Sequence, residues 1–192
     1  MSLLQNAMRV NNTFLSLQMI DFFGRQRTNS TFKKNKRKHA FHNLETMERV
    51  LILFHYKDWM QIQLVANDLE RMGKKVLLWT VESSDETVIN IRIPLVMRTL
   101  SKKDFSNFGL LRSKTEKEFK NLRYDTLIDF CKEDGDGIEY LTYLLAINKA
   151  EFCIGNRWQD ERIYDFTVIQ NKNKGVLETF WQMKGYLEKI KP

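Results

Sequence analysis

The chain has 192 residues, 43% hydrophobic and 29% charged, with a net charge of +7. That length suits one domain that buries most of its apolar surface, and no run approaches the roughly 18–20 uninterrupted apolar residues of a bilayer-spanning helix. The charge is unevenly placed: residues 1–49 carry nine Lys or Arg against three acids, and the rest carries 22 against 21. The basicity therefore belongs to an N-terminal arm, residues 1–45, ahead of a nearly neutral domain, residues 46–192.

In the arm, Leu3, Leu4, Ala7, Met8, Phe14, Leu15, Phe22 and Phe23 fall near one face at helical spacing, interrupted by Asn11, Asn12 and Gln18. After Gly24 come a polar stretch, residues 25–31, and a basic run containing Lys33, Lys34, Lys36, Arg37 and Lys38. An imperfect amphipathic helix with a basic tether suits an anionic membrane surface, where each Lys or Arg near the headgroups contributes on the order of 1 kcal/mol. The same charges suit nucleic-acid phosphates, though no reader module or zinc-finger spacing accompanies them. A solvated connector is the third reading, and an apolar arm face packed on a second copy would make a homodimer. His39 and His42 stand three apart with no further Cys or His beside them, so no metal site is expected.

Residues 49–55 are a short, continuously apolar run, as in a parallel strand covered on both faces. From Asp58, an N-cap candidate, Ile62, Val65, Leu69 and Met72 step at three and four residues to Gly73, which predicts an amphipathic helix. Residues 75–81 supply a second strand, completing a right-handed strand-helix-strand unit. The pattern then weakens: residues 88–94 read as a strand ended by Pro94, residues 105–110 as a short extended segment, and residues 114–122 as a brief charged helix or turn. Strand 124–130, helix 138–149 and strand 151–155 form the central unit, followed by strand 163–169, with turn at its start, and a closing helix from Gly175. This alternation predicts an α/β fold with a doubly wound, mostly parallel, Rossmann-like sheet, preceded by a helical basic arm.

Cys131 and Cys153 read as buried free thiols in a cytoplasmic protein, since neither a disulfide framework nor a secretory signal is apparent. In such sheets ligands sit outside the carboxyl ends of the strands. The candidates there are His55, Lys57 and Asp58 after the first strand, Ser83 and Ser84 after the second, and Glu133, Asp134 and Asp136 after the central one. The acidic loop suits a cation or sugar hydroxyls, and suits capping of the next helix better. His55 is a general-base candidate beside Asp58, against the plainer reading of a packed histidine. No phosphate-binding glycine loop or nucleophile elbow occurs, and Trp59, Trp79, Trp158 and Trp181 read as packing residues.

Two resemblances rest on these residues. With its basic N-terminal segment, His42-Asn43-Leu44, the Tyr124–Asp129 strand and the Ala146–Gly155 segment, the whole chain resembles a family of short uncharacterised bacterial proteins, a domain of unknown function. More remotely, residues 124–155 are similar to the N-terminal half of heptosyltransferase-type glycosyltransferases, whose Asp-x-x-Ile-Asp strand leads through a helix to a strand ending in Ile-Gly. Those enzymes bind their nucleotide-sugar donor largely through a second Rossmann-like domain, for which this chain has no room.

The expectation is a non-catalytic α/β binding or interaction protein without a cofactor, cytoplasmic or peripheral at the inner membrane surface, whose basic arm contacts an anionic surface. The alternative is a glycosyltransferase-like or nucleotide-sugar-binding single domain.

Overall fold

Successive side chains of a strand leave opposite faces, so an unbroken apolar run such as residues 49–55 is stable only between two covering layers. The computed structural model describes residues 25–82, 97–106, 110–133, 135, 137–155, 163–168 and 175–190. It places this run as β1 (Arg49–His55) in a six-stranded sheet of order β3-β2-β1-β4-β5-β6. β2 is Lys75–Val81, β3 Met97–Leu100, β4 Thr126–Asp129, β5 Phe152–Gly155 and β6 Phe166–Thr167, and every pairing is parallel. The helices are α1 (residues 25–34), α2 (Trp59–Arg71), α3 (Ser113–Lys120), α4 (Ile138–Ile147) and α5 (Val176–Leu187).

The two faces of β1 seed two separate cores. Val50, Ile52 and Phe54 pack with Ile62, Val65 and Leu69 of α2 and with Phe180, Met183 and Leu187 of α5. Leu51 and Leu53 pack on the other face with Phe119 of α3 and with Leu141, Leu144 and Leu145 of α4. The strand order is that of a doubly wound sheet whose direction of winding reverses between β1 and β4, the topological switch point. At the amino ends, Asp125 Oδ2 accepts from the backbone N–H groups of Glu48 (3.1 Å) and Arg49 (2.7 Å), tying the start of β4 to that of β1.

α2 ends as its sequence implies: Gly73 takes φ +78°, and Lys74 N–H reaches back to Leu69 O at 3.0 Å. Asp58 does occupy the N-cap position, but its carboxylate makes no capping bond. α2 and α5 lie side by side in the same direction. Gln61 Oε1 accepts from Leu177 N–H (3.1 Å), and seven residues further along both helices Lys184 Nζ donates to Asp68 Oδ2 (2.8 Å). On the opposite face, Asp104 anchors α3 to β3, accepting from Arg98, Ser101 N–H and Thr115 Oγ1. Burial opposes its charge, yet the Ser101 N–H and the Arg98 guanidinium hold its pKa below the usual carboxylate range.

The structure corrects the sequence reading in several places. The polar stretch after Gly24 is helical, as α1, because its residues find partners on α3 and α4. A strand beyond the one expected at 88–94 is Met97–Leu100, paired to β2; of the expected extended segment at 105–110, the described residues supply one antiparallel bridge, Phe105 to Leu111. β6 is only two residues long, and Trp181 is half exposed while Trp59 and Trp79 are buried. The N-terminal amphipathic face (residues 3–23), the strand expected at 88–94 and Trp158 lie outside the described residues.

Candidate functional site

The carboxyl end of β1 brings His55 to the switch point, 3% exposed. Its Nε2 stands 2.8 Å from Lys132 N and 3.0 Å from Lys132 O. A bare Nε2 accepts from the N–H; a protonated one donates to the carbonyl; one nitrogen does not do both at once. The loop after β4 lies directly on this ring, for a Cβ built on Gly135 would stand 2.1 Å from it, and one on Gly137, at φ +69°, 2.7 Å from Val81. Gly135 and Gly137 thus bring backbone over the ends of β1 and β2, at a closeness that glycine permits.

Of the other strand-end candidates, exposed Lys57 and half-buried Asp58 sit in the 3-10 turn between β1 and α2. Asp58 Oδ2 is buried without a hydrogen-bond partner among the described residues. Glu133 is exposed in the turn after β4. The N-cap of α4 is Gly137, which provides no side-chain cap. Ser83, Ser84, Asp134 and Asp136 lie outside the described residues.

The same edge holds a pair that sequence reasoning passed over. Asp129, 1% exposed at the end of β4, accepts from Tyr164 OH (2.6 Å) and Cys131 N–H (3.0 Å). Gly155 makes room: a Cβ there would stand 2.1 Å from the Tyr164 ring. The pair fastens the segment before β6 across β5 onto β4. Its only sequence signal is a carboxylate closing an otherwise apolar strand. Cys131 and Cys153 are both buried and free. Cys153 pairs in register with Leu127, so Cys131 is displaced four residues, about 13 Å, along the strand, beyond disulfide reach. Among the described residues no three His, Cys, Asp or Glu side chains are grouped to hold a metal.

The basic run occupies the opposite, amino-terminal edge. α1 is held by Arg27, which donates to Glu116 of α3 (2.8 Å) and lies 4.6 Å over the Tyr143 ring of α4. Tyr143 OH and Lys120 also donate to Glu116. Burial opposes the Glu116 charge, but Lys120, Tyr143 and Arg27 hold its pKa low, while burial pushes Tyr143 up to about 12. Beyond α1, Asn35 Nδ2 donates to Ala146 O and Asn148 O, satisfying carbonyls that the end of α4 leaves open. Arg37, its side chain 5% exposed, donates to Ala150 O (3.2 Å), Ile163 O (3.0 Å) and Asp165 Oδ2 (2.7 Å). Lys38 pairs with Glu151, His39 Nδ1 lies 2.6 Å from Asp165 Oδ1, and Ala40 N–H donates to Glu151 O. Burial opposes ionisation of Asp165, yet Arg37, His39 and Cys153 N–H outweigh it and depress its pKa. A cavity of about 30 Å³ between this strap, Leu145, Asn148 and Ile163 holds one or two waters at most.

The strap divides the five basic candidates. Arg37 and Lys38 are engaged by the domain. Lys33, Lys34 and Lys36 are exposed and make no side-chain hydrogen bond or ion pair among the described residues. Two domain residues join them. Exposed Lys149 follows Asn148, whose carbonyl Asn35 holds, and its N–H reaches the hydroxyl of Tyr124 (3.2 Å), next to exposed Arg123. The free positive charge therefore spans arm and domain.

Two outcomes follow. Gly135→Ala, forced against His55, is expected to destabilise by about 1–3 kcal/mol, and adding His55→Ala to recover part of that loss; urea denaturation of both singles and the double gives the coupling. Arg37→Ala takes the guanidinium from Asp165, which keeps His39 and the Cys153 N–H, and from the carbonyls of Ala150 and Ile163, and is expected to cost about 2–3 kcal/mol, against less than about 0.5 for exposed Lys36→Ala. Because the folded-state pKa of Asp165 is depressed, its contribution is present above the unfolded value and lost as pH falls through the folded one. The wild-type advantage over Arg37→Ala therefore shrinks below about pH 4, which denaturation at a series of acid pH values measures.

A family model matches residues 21–190, from ahead of α1 to the turn after α5. No curated protein and no solved structure matches the chain. The resemblance of the whole chain to proteins without an assigned activity is borne out: the chain belongs to a family of unknown function (DUF6913).

Proposed function

We propose that this is a non-catalytic α/β binding protein whose basic N-terminal segment contacts an anionic, phosphate-bearing surface. The observation that carries the reading is the division of the basic run. Arg37 and Lys38 fasten the segment to the domain, while Lys33, Lys34 and Lys36 remain exposed beside Lys149 and Arg123 with no acidic partner among the described residues. Held on a folded edge, these charges lose little conformational freedom on meeting phosphate, unlike charges on a loose tether. The coverage of the switch point by Lys132, Gly135 and Gly137 supports a role outside catalysis.

A second reading, a single nucleotide- or nucleotide-sugar-binding domain related to glycosyltransferases, is favoured by one observation. Asp58 presents a buried, unpartnered carboxylate oxygen at the carboxyl edge of a sheet whose strand order is that of dinucleotide-binding folds. His55 and Glu133, with Ser83, Ser84, Asp134 and Asp136 of the adjoining loops, are its further candidates.

Replacing Lys33, Lys34 and Lys36 together by Ala is expected to leave the melting temperature unchanged. The same triple variant is expected to weaken binding to vesicles of anionic phospholipid or to duplex DNA at least tenfold at low salt, with a shallower salt dependence. Cosedimentation and DNA retention measured in parallel separate the two surfaces, and wild-type protein that binds neither removes the proposal. For the second reading, a nucleotide or nucleotide sugar at 100 times its Kd would stabilise the fold by about 2.7 kcal/mol; a flat thermal-shift response at millimolar ligand rejects it.

A further inference from the structure

The domain that follows the arm is neutral only on average. Residues 97–123 hold eight Lys or Arg against three acids, and the rest of residues 50–192 holds 14 against 18. That segment folds into β3, the 3-10 turn Lys102–Asp104 and α3. Asp104 joins the turn to the helix, its carbonyl accepting from Arg112 N–H (2.9 Å) and its carboxylate from Thr115 Oγ1 (3.1 Å). α3 buries Thr115 and Phe119, which leaves Lys114 and Lys117, three residues apart, together on its outer face. Lys102 and Lys103 stand exposed on the turn against its first residues.

All three acids of the segment are already taken. Asp104 meets Arg98, Glu118 meets the same guanidinium (3.1 Å), and Glu116 is shared by Lys120 (2.6 Å) and Arg27 (2.8 Å). Lys102, Lys103, Lys114 and Lys117 make no ion pair or side-chain hydrogen bond among the described residues. Beyond Lys117 the chain leads through Lys120 to Arg123, which lies with Lys149 at the edge the arm occupies. The free positive charge is therefore a stripe along α3 as well as a patch at the arm, and Lys and Arg set along one helix are the electrostatic footprint of a nucleic-acid-binding face.

We infer that this stripe is a second contact surface, which holds the phosphates of a double-stranded nucleic acid without regard to sequence. The inference rests on the anionic-surface reading and names its partner. Over the roughly 9 Å of helix from Lys114 to Lys120 a duplex presents about five phosphate charges, so each lysine of the stripe has one within reach. What surrounds the lysines selects this partner over the other phosphate-bearing ones. Among the described residues the large exposed apolar side chains lie off the stripe: Met60 and Leu64 on α2 and Trp181 and Tyr186 on α5, across the sheet, with Phe41 packed on Phe152. A face that lies on a bilayer sets apolar side chains beside its lysines to enter the acyl boundary. A groove for single strands sets aromatic rings there for bases to stack on. Here the lysines stand alone, and contacts of lysine to phosphate position a duplex backbone without reading its bases.

Fluorescence anisotropy of a mixed-sequence DNA duplex of about 30 base pairs, titrated with the full chain between about 50 and 200 mM salt, is the test. Wild type is expected to bind. Replacing Lys102, Lys103, Lys114 and Lys117 together by Ala is expected to weaken binding about tenfold or more at the low-salt end. It also flattens the slope of log affinity against log salt by about 0.9 for each lysine that meets a phosphate, about 3.6 for all four. The four side chains are exposed, so the melting temperature is expected to stay unchanged; the pair Lys114→Gln with Lys117→Gln, which keeps side-chain length, gives half the change in slope. A wild-type chain that binds no duplex overturns the inference, and so does a quadruple variant that binds like wild type. A single strand of the same length held more tightly than the duplex overturns it too, as do anionic phospholipid vesicles held more tightly per phosphate. Duplex RNA bound as well as DNA or better upholds it and assigns the stripe to RNA. Binding lost in the quadruple variant but kept when Lys33, Lys34 and Lys36 are replaced upholds the stripe and removes the arm; the reverse pattern removes the stripe and keeps the arm.

Discussion

The structure depends on β1 being buried on both faces and hydrogen-bonded along both edges. Seven consecutive residues, all but Arg49 buried, cannot satisfy their backbone and hide their side chains except between two parallel neighbours and two helical layers. β2 and β4 supply the edges, α2 with α5 one cover, and α3 with α4 the other. Everything else is placed relative to that strand. The winding reverses beside it, so the loops after β1 and β4 diverge there, and the crevice between them is either a ligand site or a gap that the chain fills for itself. Here His55, Lys132, Gly135 and Gly137 occupy it.

The parts of this arrangement legible in the sequence are those where local pattern and final environment agree. β1, β2 and α2 were readable because their apolar spacing states their burial directly, and Gly73 closes α2 for a conformational reason visible in one letter. β3 was not, because Met97–Leu100 is a four-residue edge strand only half buried, too short to carry a pattern of its own. α1 was illegible for a related reason: Thr28, Asn29, Ser30, Thr31 and Phe32 are weak helix formers, and the helix is held by Glu116 and Tyr143, some ninety to 116 positions downstream of Arg27. The Asp129–Tyr164 pair likewise joins residues 35 apart. The fold was thus readable and the candidate sites were readable only as strand ends, since which end is covered is decided by glycines acting at a distance.

Formal charge counting describes the arm as a whole. Nine basic residues in the first 49 make it basic, and the described ones divide by what they meet. A helix ends with open carbonyls and a partial negative charge, and the end of α4 lies where Asn35 and Arg37 pass. Arg37 is consumed there, with Asp165 completing its coordination, and Arg27 is consumed by Glu116. What remains outward is a subset of the run, enlarged by Lys149 and Arg123 from the domain that the count called neutral. Net charge per segment predicts attraction to anions; pairing decides which side chains are free to exercise it.

The two ends of the sheet are therefore closed by different physics. At the carboxyl end, Gly135, Gly137 and Gly155 let backbone approach His55, Val81 and Tyr164 so closely that no other residue fits, and contacts of that kind are insensitive to salt and to the arrival of an anion. At the amino end, closure rests on Arg37, Lys38 and His39 meeting Asp165 and Glu151, contacts an external phosphate competes for and ionic strength weakens. A phosphate-bearing surface that recruits Lys33, Lys34 and Lys36 comes within reach of the same strap. Of the two ends, the amino-terminal one is where a bound anion would perturb the fold, because the ion pairs of Arg37 and Lys38 adjoin the exposed Lys33, Lys34 and Lys36.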